Sequence, residues 1–353
     1  MRTSSIIMAG GNGTRFWPKS RNNMPKQFLD LDGQGTLLNQ TIKRLEPITN
    51  ADSTFIVGNS NHKNLFDQTL PNDYPHNNVM LEPFPRNTAP AVAASVMALH
   101  KKFGNHVVVV VPSDQHIKDT QSFRRQIKLA IEAAKQSESV ITLGIKPTFP
   151  STGYGYLYAK NEVNGIAQLE SFVEKPDEET AEKYIQNTNY FWNAGIFVFQ
   201  SKVILKQVQI HMPVLYKLCN YIDDWHEDYN SGKLNILYQD MPSESIDYGI
   251  MEKVDNILMV PLDCGWSDLG SWDALSNIKI ENEQHNIIEG NVIDLETHGS
   301  TIVGNGKLIA VVGLKDIIIV DTEDALLICN KKDVQKIKGI VSTLKERGQI
   351  ALI

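Results

Sequence analysis

Apolar positions along the first 145 residues follow two alternating rhythms. Ser4–Ile7, running on through Met8–Ala9, predicts a short strand, and Thr54–Val57 and Val140–Leu143 predict two more. Val107–Val111 is an unbroken β-branched run, the composition of a strand covered on both faces of a parallel sheet. Helical patterns lie between them: Leu37–Leu45, with apolar residues at 37, 38, 42 and 45, the Ala-rich Ala89–Leu99, and Phe123–Ala134. This strand–helix alternation predicts an α/β fold with a mostly parallel sheet. Ligands of such sheets bind beyond the carboxyl ends of the strands. The loops carrying Gly10–Arg15 and Pro112–Asp114 fall there.

The texture changes near Gln284. Short β-rich runs follow, Asn291–Leu295, Thr301–Val303, Leu308–Val312, Ile317–Val320 and Ala325–Ile328, separated by Gly, Asn and Asp turns. Their spacing predicts a small all-β unit or partial β-solenoid and not a further βα layer. The expected division is a domain over 1–283 and a C-terminal β domain over 284–353. A closing amphipathic helix is predicted over Asp333–Arg347, with Val334, Ile337, Val341 and Leu344 on one stripe. That stripe is expected to pack on its own β unit, the alternative being an oligomer contact.

Composition narrows the class. Of 353 residues, 42% are hydrophobic and 21% charged, close to the globular average, so wholesale disorder is excluded. No apolar run nears the roughly 18 residues of a membrane span, and the N-terminus lacks a signal-peptide pattern. Three cysteines, Cys219, Cys264 and Cys329, are too scattered for a disulfide framework or a CxxC metal site. A net charge of −7 argues against a nucleic-acid partner. The expectation is a cytoplasmic protein with no membrane and no nucleic-acid partner.

The first chemical signal is residues 8–19, Met-Ala-Gly-Gly-Asn-Gly-Thr-Arg-Phe-Trp-Pro-Lys. They form no Walker A loop, and Phe16 stands where a dinucleotide fingerprint needs its third glycine. They do offer a strand, backbone N–H groups freed by glycines, and then Thr14 and Arg15. Consecutive N–H groups make an anion-binding concavity, to which Arg15 adds a fork of donors and Lys26 a second positive charge. A tight turn with a surface Arg is the structural alternative. Asp114, just past the Val107–Val111 run, could ligate a cation or cap a helix, and Asp268 has the same two readings.

Gly10-Gly11-x-Gly13-Thr14-Arg15-x-x-Pro18 with Pro25-Lys26-Gln27 resembles the signature of sugar-phosphate nucleotidylyltransferases. Five further segments occur in order: Glu82-Pro83 with Arg86-Asn87-Thr88-Ala89-Pro90-Ala91, Phe172–Pro176, Trp192–Phe197, Ser245–Tyr248 and Trp266–Gly270. Together they resemble the mannose-1-phosphate guanylyltransferase branch over essentially the whole chain, in its short monofunctional form without an appended isomerase domain. The resemblance implies a Rossmann-like catalytic fold of the nucleotide-diphospho-sugar transferase type and a C-terminal partial left-handed β-helix.

It also implies a reaction and its residues: GMP transfer from GTP to α-mannose 1-phosphate, giving GDP-mannose and pyrophosphate. Arg15, Lys26, Asp114 and Asp268 are the implied catalytic residues, with Asp114 and Asp268 as Mg2+ ligands. Met8, Ala9, Gly10, Gly11, Gly13, Thr14, Asn87 and Ser113 would bind the nucleotide. Gly155, Glu174, Lys175 and Asn193 would bind the sugar phosphate, with Asp247 acting on the sugar indirectly. A homodimer through the C-terminal β unit fits the resemblance. Two departures stand out: Asp114-Gln115-His116 where relatives commonly carry Asp-His, and Pro85 where they carry Gly. Two other readings remain at this point. One is the same chemistry on another sugar 1-phosphate, such as a manno-heptose or glucose phosphate, or with another nucleotide. The other is a non-catalytic nucleotide-sugar sensor.

Overall fold

The structure, a computed structural model, describes residues 1–11 and 13–353. Two compact units emerge, and the chain passes between them repeatedly. The first unit comprises Met1–Gly10, Thr41–Ser113 and Asp119–Trp266, the second Gly11–Gln40, Asp114–Lys118 and Ser267–Ile353. The second unit therefore holds the glycine-rich loop and the Asp114 and Asp268 segments as well as the C-terminal coils.

Strands β1 (Thr3–Ala9), β2 (Thr54–Asn59), β3 (Val79–Glu82) and β4 (Val107–Pro112) lie where the apolar runs predict, apart from β3. All are mutually parallel, in the order β3-β2-β1-β4. β5 (His116–Ile117) is a two-residue strand of the second unit. The sheet continues with β6 (Val140–Ile145), β7 (Tyr156–Val163), β8 (Ile166–Val173), β9 (Tyr190–Gln200) and β10 (Ile257–Pro261), giving nine strands in the order β3-β2-β1-β4-β9-β6-β10-β8-β7. β9 runs antiparallel between β4 and β6, and β7 and β8 form an antiparallel pair at the edge. The sheet is thus parallel on its β3–β4 side and mixed beyond it. β7 and β8 are joined by the local turn at Asn164–Gly165, whereas the helix Glu178–Ile185 lies between β8 and β9.

Helices α1 (Leu37–Leu45), α2 (Lys63–Thr69), α3 (Thr88–Phe103) and α4 (Thr120–Gln136) are the connectors of the early strands. α3 is apolar all round and buried from Ala89 to Leu99, as a helix packed on every side must be. Asp119 starts α4 by accepting from the N–H groups of Gln121 and Ser122. The later helices are α5 (Glu178–Ile185), α6 (Ser201–His211), α7 (Pro213–Cys219), α8 (Trp225–Asn230), α9 (Lys233–Asp240) and the single turn α10 (Ile246–Gly249). α3 and α6–α10 share one apolar core with β1, β2, β4 and β9. Among the described residues no helix is long and apolar enough to cross a membrane.

Past β11 (Trp266–Ser267), the second unit stacks β12 (Ile287–Glu289), β14 (Thr301–Val303) and β16 (Ile317–Asp321) in parallel, with β17 (Leu326–Asn330) antiparallel to β16. A second parallel stack pairs β13 (Val292–Leu295) with β15 (Ile309–Val312). Two parallel stacks taken in alternation are the geometry of a β-solenoid. The terminal helix differs from its predicted span. Lys331–Lys336 is a 3-10 turn and only α11 (Ile337–Glu346) is α-helical. In a 3-10 turn positions three apart eclipse, which suits buried Val334 and Ile337 and the Asp333–Lys336 pair at 2.7 Å. The whole predicted stripe is buried, not only on the coils' Ile318 and Val320 but also on Phe16, Trp17 and Trp272.

Candidate active site

The second unit assembles cationic and acidic groups from three separated segments. Gly13 stands at φ 57°, and a Cβ there would lie 2.3 Å from Lys26 Cβ. Only glycine takes that backbone conformation at so close an approach. Its carbonyl accepts from Phe16 N at 3.1 Å and from Ser20 Oγ at 2.7 Å, closing the turn through Thr14 and Arg15. Lys26 is buried, and its Nζ donates to Asp114 Oδ2 at 2.9 Å and to the Asp268 carbonyl at 2.6 Å. One ammonium thus ties the segment after β4 to the Trp266–Gly270 loop. Gly270 N donates to Asp268 Oδ1 at 3.1 Å; a Cβ on Gly270 would lie 2.8 Å from Asp268 Oδ2 and 3.3 Å from Arg15 Nη1. Arg15, Lys26, Asp114 and Asp268 therefore form one cluster, with Asp114 half-exposed at its edge.

Among the described residues no group of three or more His, Cys, Asp or Glu could hold a metal ion. Two hard carboxylates do suit Mg2+, which takes its remaining positions from phosphate oxygens and water. Asp114 and Asp268 fit that donor set. Of the other sequence-predicted nucleotide positions in this unit, Gly11 is exposed with open space where a Cβ would be.

Met8, Ala9, Gly10, Asn87 and Ser113 belong to the first unit. Ser113 is buried, and its N–H donates to the Met8 carbonyl at 3.0 Å, so the carboxyl ends of β1 and β4 meet there. Asn87, at φ 68°, caps α3 by accepting from Thr88 N at 2.9 Å. Arg86 is half-buried and turned to the main chain of α9. It donates from Nε to the Tyr238 carbonyl at 2.9 Å and from Nη2 to the Gln239 carbonyl at 2.7 Å, closing the end of α9.

Sequence reasoning gave Glu82 no role of its own. It ends β3 with its carboxyl buried and Oε1 without a partner, and a Cβ on Gly10 would lie 3.6 Å from its Oε2. Burial pushes its pKa up to about 8, against a smaller lowering by the Tyr238 hydroxyl. The folded state thus holds this proton more tightly than the unfolded chain does. The associated stability is full below pH 4.5 and is lost as pH rises through about 8. Glu82→Gln should gain stability over wild type progressively across that window, by a few kcal/mol (order of magnitude) at its upper end. Denaturant unfolding at pH 5 and pH 9 reads this directly, and an equal effect at both pH values would refute it.

Sugar-phosphate positions Gly155, Glu174, Lys175 and Asn193 all lie in the first unit and do come together. A Cβ on Gly155 would sit 2.4 Å from Glu174 Oε2 and 3.5 Å from Asn193 Cβ. The Gly155 carbonyl accepts from Asn193 N at 2.8 Å. Glu174 takes a salt bridge from Lys175 Nζ, and its N–H donates to Glu252 Oε1 at 3.0 Å. Gly155→Ala should displace the Glu174 carboxylate and raise the sugar-phosphate KM at least about tenfold, the weight of a lost charge-assisted hydrogen bond. Initial rates at varied sugar phosphate measure it, and an unchanged KM would remove the need for glycine. Trp192 and Trp272 are buried and Trp266 half-buried; the Tyr154 ring lies edge-on to Trp192 and Trp266, with centroids 5.0 and 5.5 Å away.

A family model described as nucleotidyl transferase matches residues 4–285, well over half of the chain. The chain belongs to this family. A second model, the MannoseP isomerase/GMP-like beta-helix domain, matches residues 290–344, which include β13–β17. The family generally uses a divalent metal. Among its relatives, the alginate biosynthesis protein AlgA of Pseudomonas fluorescens is 37% identical over 350 residues, covering 98% of this chain and 72% of that one. A mannose-1-phosphate guanylyltransferase of Escherichia coli is 34% identical, covering 98% and 76%. Among solved structures, a Thermus thermophilus protein described as a mannose-1-phosphate geranyltransferase superposes with a TM-score of 0.88. It is 29% identical and covers 98% of this chain and 100% of that one.

Proposed function

We propose that the protein transfers GMP from GTP to α-D-mannose 1-phosphate, releasing pyrophosphate and forming GDP-mannose. The observation that carries this reading is the Lys26 ammonium shared between the Asp114 carboxylate and the Asp268 carbonyl. It gathers two acids and two cations in the unit that also holds the glycine turn. In-line attack by the sugar phosphate on the α-phosphorus needs positioning and charge neutralisation, not a covalent nucleophile.

Arg15 and Lys26 would hold the triphosphate, with main-chain groups of Gly11, Gly13 and Thr14. Met8–Gly10, Asn87 and Ser113 would take the nucleoside. Glu174 and Asn193 would bind sugar hydroxyls, Gly155 giving them room, and Lys175 the sugar's phosphate. Asp114 and Asp268 would hold Mg2+, which when bound supplies Lewis-acid neutralisation of charge on the transferred and departing phosphates. The choice of mannose and guanine rests on the relatives named above. A cytoplasmic homodimer belongs to the same reading, and exposed Ile293, Leu295, Val312, Leu326 and Ile328 on the coils are the surface it would use.

Incubation with Mg2+, mannose 1-phosphate and each of GTP, ATP, UTP and dTTP tests the reading through pyrophosphate and nucleotide-sugar release. GDP-mannose from GTP is the expected product. No product with GTP, alongside binding of GDP-mannose, would replace the enzyme by a sensor. Heptose and glucose phosphates in place of mannose 1-phosphate test the sugar.

A further inference from the structure

The Asn193 side chain is fixed at both ends. Its Oδ1 accepts from Gly195 N at 3.1 Å and faces Thr142 Oγ1 at 3.2 Å, a hydroxyl whose one proton is shared with the Ile196 carbonyl at 3.4 Å. Its Nδ2 donates to Asp247 Oδ1 at 3.0 Å. A flipped amide would set its NH2 against the Gly195 N–H and its carbonyl against the Asp247 carboxylate, two repulsive contacts in place of attractive ones. The orientation is therefore determined, and one N–H remains for a ligand.

We infer that Asp247 is a positioning residue of the sugar subsite: it locks the Asn193 amide so that residue 193 meets the sugar only as an N–H donor. The inference rests on the sugar-phosphate reading of this cluster and adds to it a division of labour. Glu174 accepts from one hydroxyl, and Asn193 donates to the oxygen of another. A subsite of one fixed acceptor and one fixed donor discriminates by hydroxyl geometry, since a misplaced hydroxyl leaves a polar group unpaired.

The lock is also proton-sensitive. Asp247 sits on the one-turn α10, whose N-cap Ser245 accepts from Tyr248 N at 3.2 Å. Burial, reinforced by the negative charge of Glu174, pushes its pKa up to about 6, with Lys175 and the Asn193 bond pulling the other way. Glu252, bonded to Glu174 N, and Glu244, beside Ser245, are the nearby acids on the flanking segments, and Lys253 follows Glu252. α3, packed against α10, presents Thr88, whose Oγ1 accepts from Ile246 N at 2.9 Å; it carries no charged side chain from Thr88 to Leu99. A protonated Asp247 accepts a weaker bond from Asn193 than the carboxylate does.

Calorimetric binding of mannose 1-phosphate, together with KM and kcat, tests the inference on the full-length protein. Asp247→Ala should weaken sugar-phosphate binding about tenfold, with the loss on its KM more than on kcat and the GTP KM within about twofold of wild type. Asp247→Asn, which keeps an acceptor oxygen, should recover most of that affinity. The wild-type advantage over Asp247→Asn should be present at pH 8 and fade as pH falls through about 6. The sugar phosphate's own ionisation is common to both proteins, so the ratio of their profiles isolates Asp247. Wild-type affinity in a folded Asp247→Ala variant, or a pH-independent ratio, overturns the positioning role alone. A wild-type protein that binds no sugar phosphate overturns this role and the proposed function together.

Discussion

Replacing Asp114 or Asp268 by asparagine is expected to lower turnover by more than ~100-fold, the scale of losing one preorganised charge-stabilising group. Asparagine keeps the shape of each side chain and one acceptor oxygen. What it removes is the negative charge that would hold Mg2+. The two variants should nevertheless differ in stability. Lys26 is buried, and Asp114 is the carboxylate bonded to its ammonium, so Asp114→Asn leaves that cation without its counter-charge. Lys26 meets Asp268 through the main chain, a bond that Asp268→Asn retains. Asp114→Asn should therefore lower both turnover and melting temperature, and Asp268→Asn chiefly turnover. Wild-type rates in both variants would refute the metal assignment, and equal melting temperatures would refute the account of Lys26.

Trp272→Ala should cost the folded state about 3–5 kcal/mol, a large share of the stability typical of a domain. Trp272 is fully buried, its ring centroid lies 5.1 Å from that of Phe16, and its Nε1 donates to the Trp17 carbonyl at 2.9 Å. Trp17 Nε1 in turn donates to the Leu352 carbonyl at 2.7 Å. The segment after the glycine turn and the C-terminus thus belong to one core. Trp272→Phe keeps most of the apolar volume and loses only the donor, so a cost of about 1–2 kcal/mol is expected. Denaturant unfolding of the three proteins measures both numbers. A cost below about 1 kcal/mol for Trp272→Ala would mean that this core does not hold the unit together.

Periodicity located β1, β2, β4 and β6 and helices α1, α3 and α4, and gave neither β3 nor α2. Leu37–Leu45 matches its predicted span, and Val107–Val111 lies within β4. It gave no account of β9, where Trp192–Phe197 combines aromatics, a glycine and an asparagine in a central strand. That composition follows from what the strand touches: Asn193 turns to Asp247 and Thr142, and its neighbours pack on β4 and β6. Glu82 and Gly270 carry no such local pattern. Their roles depend on a buried orphan oxygen and on a close approach, neither of which spacing encodes.

The sequence by itself determined the α/β class and the C-terminal coiled β unit. Those follow from local rules, namely hydrophobic period, β-branched runs and glycine turns. Only the tertiary structure decided that Gly11–Gln40 and Asp114–Lys118 share a unit with the C-terminal coils. It also decided that Lys26 reaches both Asp114 and Asp268, and that Asp247 orients Asn193. The physical reason is range. A charge pair or an amide's orientation is fixed by groups within about 3 Å in space, and here Asp247 stands 54 residues from Asn193, and Asp114 and Asp268 stand 88 and 242 residues from Lys26 along the chain.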